Sequence, residues 1–336
     1  MTGVPRVRPS EPELLDVAGL VVAVAGGSPW RSVVRERFGS SRTRGHPIDV
    51  HLDVGGGSAA PVQHRAPDSG SADADFWWGD AALTMRWREV WARQAGPTVC
   101  VVPPPEADDE LDDELDRGEP SEDELDDELD RTDEAVDLLC QYGVAMAAAR
   151  PDRVVLHAAA VARQDAALVL VGPSGAGKSS LATAAWRGDW SMLADDLVVV
   201  RRRAGQLWVR GVRRPPLLPG ELLDDELGEW VDDQRGRREL PADVLVDDEL
   251  PVAGAVLVGH DDGEGRWAPL PAVERVPSLL LGLAVPPVGP VTASHLPMLA
   301  ALAEAPMTRL DHARDPAVRS ARAWELLDQI GRRTGA

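Results

Sequence analysis

The chain has 336 residues, a formal net charge of −21 and 44% hydrophobic residues, enough for one large domain or two modest ones with a sizeable core. That acidic balance excludes long stretches of nucleic-acid backbone as a partner. Two cysteines, Cys100 and Cys140, make neither a disulfide framework nor a metal cluster, and no apolar run approaches the ~20 residues that cross a bilayer, so a soluble cytoplasmic protein without a membrane partner is expected.

From about residue 17 to residue 100, short apolar runs alternate with Gly, Pro and Ser clusters. Gly19–Gly26, Ile48–Val54 and Thr98–Val102 read as strands, and Ala82–Gln94 as a short helix. Trp77, Trp78, Trp87 and Trp91 read as core or edge packing. Residues 1–105 are therefore taken as a β-rich N-terminal region. Residues 106–131 form an acidic low-complexity insert, in which Asp108–Leu111 (D-D-E-L) returns at Asp112–Leu115 and Asp126–Leu129. No segment puts Gly at the sixth position of a calcium loop, so a solvated, disordered expansion is expected.

A third region, residues 132–336, regains regular patterning. Glu134–Ala149 is apolar at helical spacing, Val154–Val161 reads as one strand, and Ala166–Val171 as another. A helix is expected over Ser179–Trp186, ended by Gly188, then a strand at Trp190–Ala194. Leu197–Arg203 and Gln206–Arg210 flank Ala204-Gly205 as a hairpin, and Asp315–Ile330 reads as a closing helix with Pro316 at its first position.

Between the Ala166–Val171 strand and the next helix lies Gly172-Pro173-Ser174-Gly175-Ala176-Gly177-Lys178-Ser179-Ser180, which fits G-x-x-x-x-G-K-S. Lys178 is the only lysine of the chain; every other basic side chain is arginine. A compact ammonium reaches between phosphates where a planar guanidinium fits poorly. In such a loop the backbone N–H groups hold a β-phosphate, Lys178 bridges the β- and γ-phosphates, and the Ser179 hydroxyl ligates Mg²⁺. Asp195 and Asp196 directly follow the Trp190–Ala194 strand. They are either turn residues or a carboxylate pair where a metal and an attacking hydroxyl meet. His157 is either a core histidine or, if its strand neighbours the loop-bearing strand, a ring at the phosphate site.

His157, the glycine loop and Ala194-Asp195-Asp196 together resemble the catalytic domain of the HPr kinase/phosphorylase family. His157 lies 21 residues before Lys178, and Asp195 lies 17 after it. The resemblance covers about Arg153–Arg210. It implies an α/β fold with a P-loop kinase core of the HPr kinase and phosphoenolpyruvate carboxykinase type. It also implies ATP and Mg²⁺, Asp195 as general base toward a serine hydroxyl, Asp196 on the metal side and His157 as the active-site histidine. The family's downstream E-I-R-G-L-G signature is absent, and Glu221 is the nearest candidate for its metal-binding glutamate. The chain is most similar in character to the HPr-kinase-like proteins of peptide-modification clusters, such as those making lasso peptides. The expected function is thus transfer of the γ-phosphate of ATP to a Ser or Thr hydroxyl of a peptide or protein. A nucleotide-binding regulatory or scaffold protein and a small-molecule kinase stand as alternatives. No interface signal is readable, which leaves an oligomer open.

Overall fold

The computed structural model describes residues 12–18, 20–26, 34–35, 40–41, 50–54, 69–70, 75–78, 83–87, 90–95, 97–102, 136, 139–148, 150–212, 214, 216–219, 229–232, 237–261, 265–284, 290–313, 325 and 327–332. The acidic segment 106–131, Glu221 and the first part of the expected closing helix lie outside these. The chain divides into two compact units. One is built from segments that end at Ala147, past the boundary expected at residue 131, and the other is built mainly from Ala148–Ala336. It is a mixed α/β chain with several sheets and few helices.

The strands of the first sheet are β1 (Glu13–Val17), β2 (Leu20–Gly26), β3 (Ser40–Ser41), β4 (Val50–Val54), β5 (Ser69–Gly70), β6 (Asp75–Trp78), β7 (Leu83–Trp87), β8 (Val90–Ala95) and β9 (Thr98–Val102). Their order is β3-β1-β2-β4-β9-β8-β7-β6-β5. β2, β4 and β9 are parallel, while β5 to β9 form an antiparallel meander. The helix expected over Ala82–Gln94 is instead the β7–β8 hairpin. Its apolar residues fit either period, but Val90 and Ala92 are buried while Arg93 is exposed, the two-residue alternation of a strand. Neighbouring strands on both sides supply the hydrogen bonds that an isolated stretch lacks. A helix over residues 139–148 (α1) closes the described part of this region.

The second unit holds β10 (Arg153–His157), β11 (Ala159–Arg163), β12 (Ala166–Val171), β13 (Ser191–Ala194), β14 (Leu197–Arg203), β15 (Gln206–Gly211), β16 (Leu217–Pro219), β17 (Glu229–Asp232), β18 (Arg237–Glu239), β19 (Leu250–Asp261), β20 (Arg266–Pro269) and β21 (Met307–Ala313). Its helices are α2 (Lys178–Arg187), α3 (Ala272–Leu280), α4 (Pro290–Glu304) and a short one over residues 327–332 (α5). The large sheet runs β10-β14-β15-β19-β12-β11-β13, with β21 beside β19 and β20 beside β21. β16, β18 and β17 form a small separate sheet. The single strand expected over Val154–Val161 is two strands. The chain breaks at Ala158 because His157 donates its N–H to Gly282 O at 2.8 Å, and β11 then turns to pair with β12.

β12, β19 and β21 are parallel and buried on both faces. One face meets α3 and α4, where Val169, Val171, Ala255 and Met307 pack among Leu279, Met298, Leu299 and Leu302. The other face meets α2 and α5, where Leu168, Leu170, Val256, Val258 and Leu310 pack among Leu181, Ala182, Ala185, Leu327 and Ile330. α2 has ten residues, three of them Ser or Thr, too short and too polar to hold as a free helix. Burial of Leu181, Ala182 and Ala185 against the sheet fixes it, a full side-chain burial of the leucine type being worth about 1.5–3 kcal/mol.

Candidate active site at the carboxyl ends of the parallel strands

Open α/β sheets offer their binding crevice where the parallel strands end. In the second unit the chain leaves β12 at Val171, loops through Gly172–Gly177 and enters α2 at Lys178. Gly177 has φ 91°, in the left-handed region that favours glycine, and a Cβ there would lie 2.2 Å from His312 Nε2. A Cβ on Gly172 would lie 2.7 Å from the Val258 carbonyl. Both glycines are thus required by close approach to the neighbouring strands. Among the described residues no side chain caps the α2 N-terminus, and its first turn has no acidic residue, so the leading N–H groups and the positive end of the helix dipole face an anion site.

Lys178 is buried, with Nζ donating to Gly172 O at 3.1 Å and Pro173 O at 3.2 Å. Burial lowers its pKa, while Asp196 and then Asp195 act in the other direction. An ammonium held by two loop carbonyls is poised to exchange them for phosphate oxygens. Ser179 is half-buried at the first turn of α2.

Asp195 and Asp196 follow β13. Asp195 is 6% exposed and accepts a hydrogen bond from the Leu217 N–H at 3.1 Å through Oδ2. Burial, and after it the charge of Asp196, push its carboxyl up to about 7, against the Leu217 N–H and the Arg214 charge. Asp196 is more open. Its Oδ1 lies 3.2 Å from His157 Nε2 and its Oδ2 takes a 3.1 Å bond from Arg214 Nη1. Two adjacent carboxylates therefore sit in unlike environments, one titrating near neutrality and one held by two cationic or polar partners. Pairs split in this way suit a proton acceptor beside an electrostatic partner.

His157 reaches the site by an unexpected route. Its strand β10 pairs with β14, with His157 opposite Leu197, and does not neighbour the loop-bearing β12. The ring arrives through Asp196, which β14 presents at its start. The expectation that β10 flanks β12 fails because the break at Ala158 hands that position to β11. Glu221 lies outside the described residues.

Three residues at the site were not singled out from the sequence. Arg214 follows β15 and has no local signature. His260 is the penultimate residue of β19 and His312 the penultimate residue of β21. Val256, Val258 and His260 form one alternating row, as do Leu310 and His312, so the period that buries the apolar residues against α2 carries both imidazoles to its N-terminus. His260 Nε2 lies 2.9 Å from Gly175 O, His312 Nε2 lies 2.7 Å from Ala176 O, and the two rings meet edge to face at 4.6 Å.

The donor set fits a nucleotide's phosphates: glycine backbone, one lysine and an uncapped helix start. Among the described residues no group of three or more His, Cys, Asp or Glu is placed to hold a metal ion. Ser179 and Asp196 supply at most two oxygen ligands, which fits Mg²⁺, a cation that keeps several waters and takes further oxygens from substrate phosphates.

No family model matches this chain, and no curated protein matches its sequence. Among solved structures it is weakly similar to the Hpr(Ser) kinase/phosphatase from Coxiella burnetii, at 11% identity and a TM-score of 0.28, over 53% of this chain and 98% of that one. No helix among the described residues is long and apolar enough to cross a membrane.

Proposed function

We propose that the second unit is a phosphotransferase of the P-loop type, related to HPr kinase, that moves the γ-phosphate of ATP to a Ser or Thr hydroxyl of a peptide or protein. The observation that carries this reading is Asp195: a buried carboxyl titrating near neutrality, electrostatically coupled to Lys178 at the mouth of a glycine loop. A general base works best with a pKa near the working pH.

In this reading the N–H groups at the start of α2 and the Gly172–Gly177 backbone hold the β-phosphate, and Lys178 leaves its two carbonyls to reach the β- and γ-phosphates. The Leu217 N–H donates to Asp195 Oδ2 and so fixes the carboxylate. As the acceptor oxygen bonds to the γ-phosphorus, its proton passes to Asp195. The bond from that phosphorus to the bridging oxygen breaks, and its electron pair stays on the ADP β-phosphate. Lys178 offsets the charge that develops there. Mg²⁺, when bound near Ser179 and Asp196, supplies charge neutralisation of the phosphate oxygens. Arg214 and His157 orient Asp196 beside Asp195.

The test is incubation of the purified chain with Mg-ATP and serine-containing peptides, with mass analysis of the products. A phosphorylated peptide, absent with Asp195→Asn, supports the reading. ATP binding without transfer to any acceptor sinks it and leaves a nucleotide-binding regulatory protein.

A further inference from the structure

We infer that His260 and His312 act as a two-histidine clamp that sets the orientation of the phosphate loop, with His312 the principal positioning residue. The inference rests on the nucleotide-binding reading above and adds two residues to it.

The loop has few side chains of its own to hold its shape: between Val171 and Lys178 it is Gly, Pro, Ser, Gly, Ala and Gly. Its peptide planes must be fixed from outside. Gly175 O meets His260 Nε2 at 2.9 Å and Ala176 O meets His312 Nε2 at 2.7 Å, two successive carbonyls each taken by an imidazole from a different strand. Carbonyls only accept, so each contact places a proton on Nε2. In a trans peptide the C=O and the following N–H point in opposite directions. Holding Ala176 O toward the end of β21 therefore turns the Gly177 N–H away from the strand ends, toward the side where a phosphate lies against the α2 N-terminus. The Ala176 N–H is separately committed to Pro173 O at 3.2 Å, so the Ala176–Gly177 plane is the one the clamp decides.

The fit is mutual. His312 is 1% exposed and its Nε2 occupies the space a Cβ on residue 177 would need, so Gly177 is required for this histidine as much as for the turn. His312 Nδ1 lies 3.0 Å from Ala313 O, a contact that becomes a hydrogen bond only when both ring nitrogens carry a proton, since each faces a carbonyl. The edge-to-face contact with His260 braces the ring on its other side. His260 Nδ1 has no hydrogen-bond partner among the described residues, so its Nε2 contact with the loop is the polar bond that orients it. Both act through the loop carbonyls they meet.

The probes are ATP and inorganic tripolyphosphate, titrated calorimetrically into the wild-type chain and into His312→Ala, His312→Gln and His260→Ala. His312→Ala is expected to weaken both probes by about five- to tenfold, the loss of one buried hydrogen bond. His312→Gln retains an N–H that reaches Ala176 O and is expected to recover most of that loss, whereas a merely space-filling role would leave it as impaired as the alanine variant. His260→Ala is expected to lose less, because that histidine is less buried. Wild-type affinity in His312→Ala, or equal losses in His312→Ala and His312→Gln, overturns the clamp while leaving the nucleotide site intact. Failure of the wild-type chain to bind either probe overturns both.

Discussion

Each unit contains three parallel strands in a row, β2-β4-β9 in the first and β12-β19-β21 in the second, and they make different things of the same geometry. In the first trio Val22, Val24, Leu52, Val54, Val99 and Val101 are buried to the described strand ends, and the row stays apolar throughout. In the second, the buried rows run Leu168, Leu170 and Val256, Val258 and then change character: β12 gives way to a glycine loop, the row on β19 closes with His260 and the row on β21 with His312. Parallel pairing provides a scaffold in both. Only where the last residues of the rows become polar, and a helix start closes over them, do backbone N–H groups, a lysine and two carboxylates converge.

That contrast can be broken most severely at Lys178. Lys178→Arg should lower phosphoryl transfer by about 10²–10³-fold, the scale of losing one positioned charge-stabilising donor, with a far smaller change in stability; normal transfer by this variant would defeat the account of the second unit. Asp195→Asn comes next, with transfer reduced by about 10²–10⁴-fold and ATP affinity kept, measured by calorimetry beside a peptide-phosphorylation assay.

The same residue sharpens the comparison through pH. Its carboxyl is raised from 3.8 to about 7 by burial and by Asp196, so the folded state holds a proton that the unfolded chain releases. The stability linked to that proton is complete below the ordinary carboxyl value and is lost as pH rises through about 7. Asp195→Asn should therefore raise the thermal midpoint at pH 8, by an amount corresponding to on the order of 1–4 kcal/mol, and should leave it little changed at pH 4. Transfer by the wild-type chain should rise with pH across the same interval, since the base must be ionised. Arg214→Ala should move that rise to higher pH, because Arg214 is one of the groups that hold the Asp195 value down.

The smallest effect on the site is expected from the first unit. Met85 is fully buried in β7, and Met85→Ala should cost about 2–5 kcal/mol of stability. ATP affinity of the folded fraction should stay unchanged; a loss comparable to that of His312→Ala would mean that the first unit takes part in binding.

Several elements could be read directly because their signals are local. β9 and β12 match the expected runs Thr98–Val102 and Ala166–Val171, and α2 extends the expected Ser179–Trp186 by one residue at each end. The β14–β15 hairpin follows from Ala204-Gly205, both with positive φ (51° and 82°). The Ala82–Gln94 segment was not legible, since its apolar spacing serves a helix and a strand alike and the decision came from pairing with β6 and β9. β19 was missed altogether, although it is the strand on which the second sheet turns.

The loop could be read without the fold: its glycines, its lysine and the apolar strand before it are contiguous, and a strand–turn–helix passage is a local structure. The sequence also brought Asp195 and His157 forward as candidates through their spacing from that loop. Tertiary structure decided their surroundings. Whether Asp195 is buried, which partners hold Asp196, and which strand carries His157 depend on where the chain breaks at Ala158 and how β14 lies beside β10. His260 and His312 belong wholly to that second category. They stand 85 and 136 residues from the carbonyls they meet, and no sequence window can register a contact made by two strand ends lying side by side in a sheet.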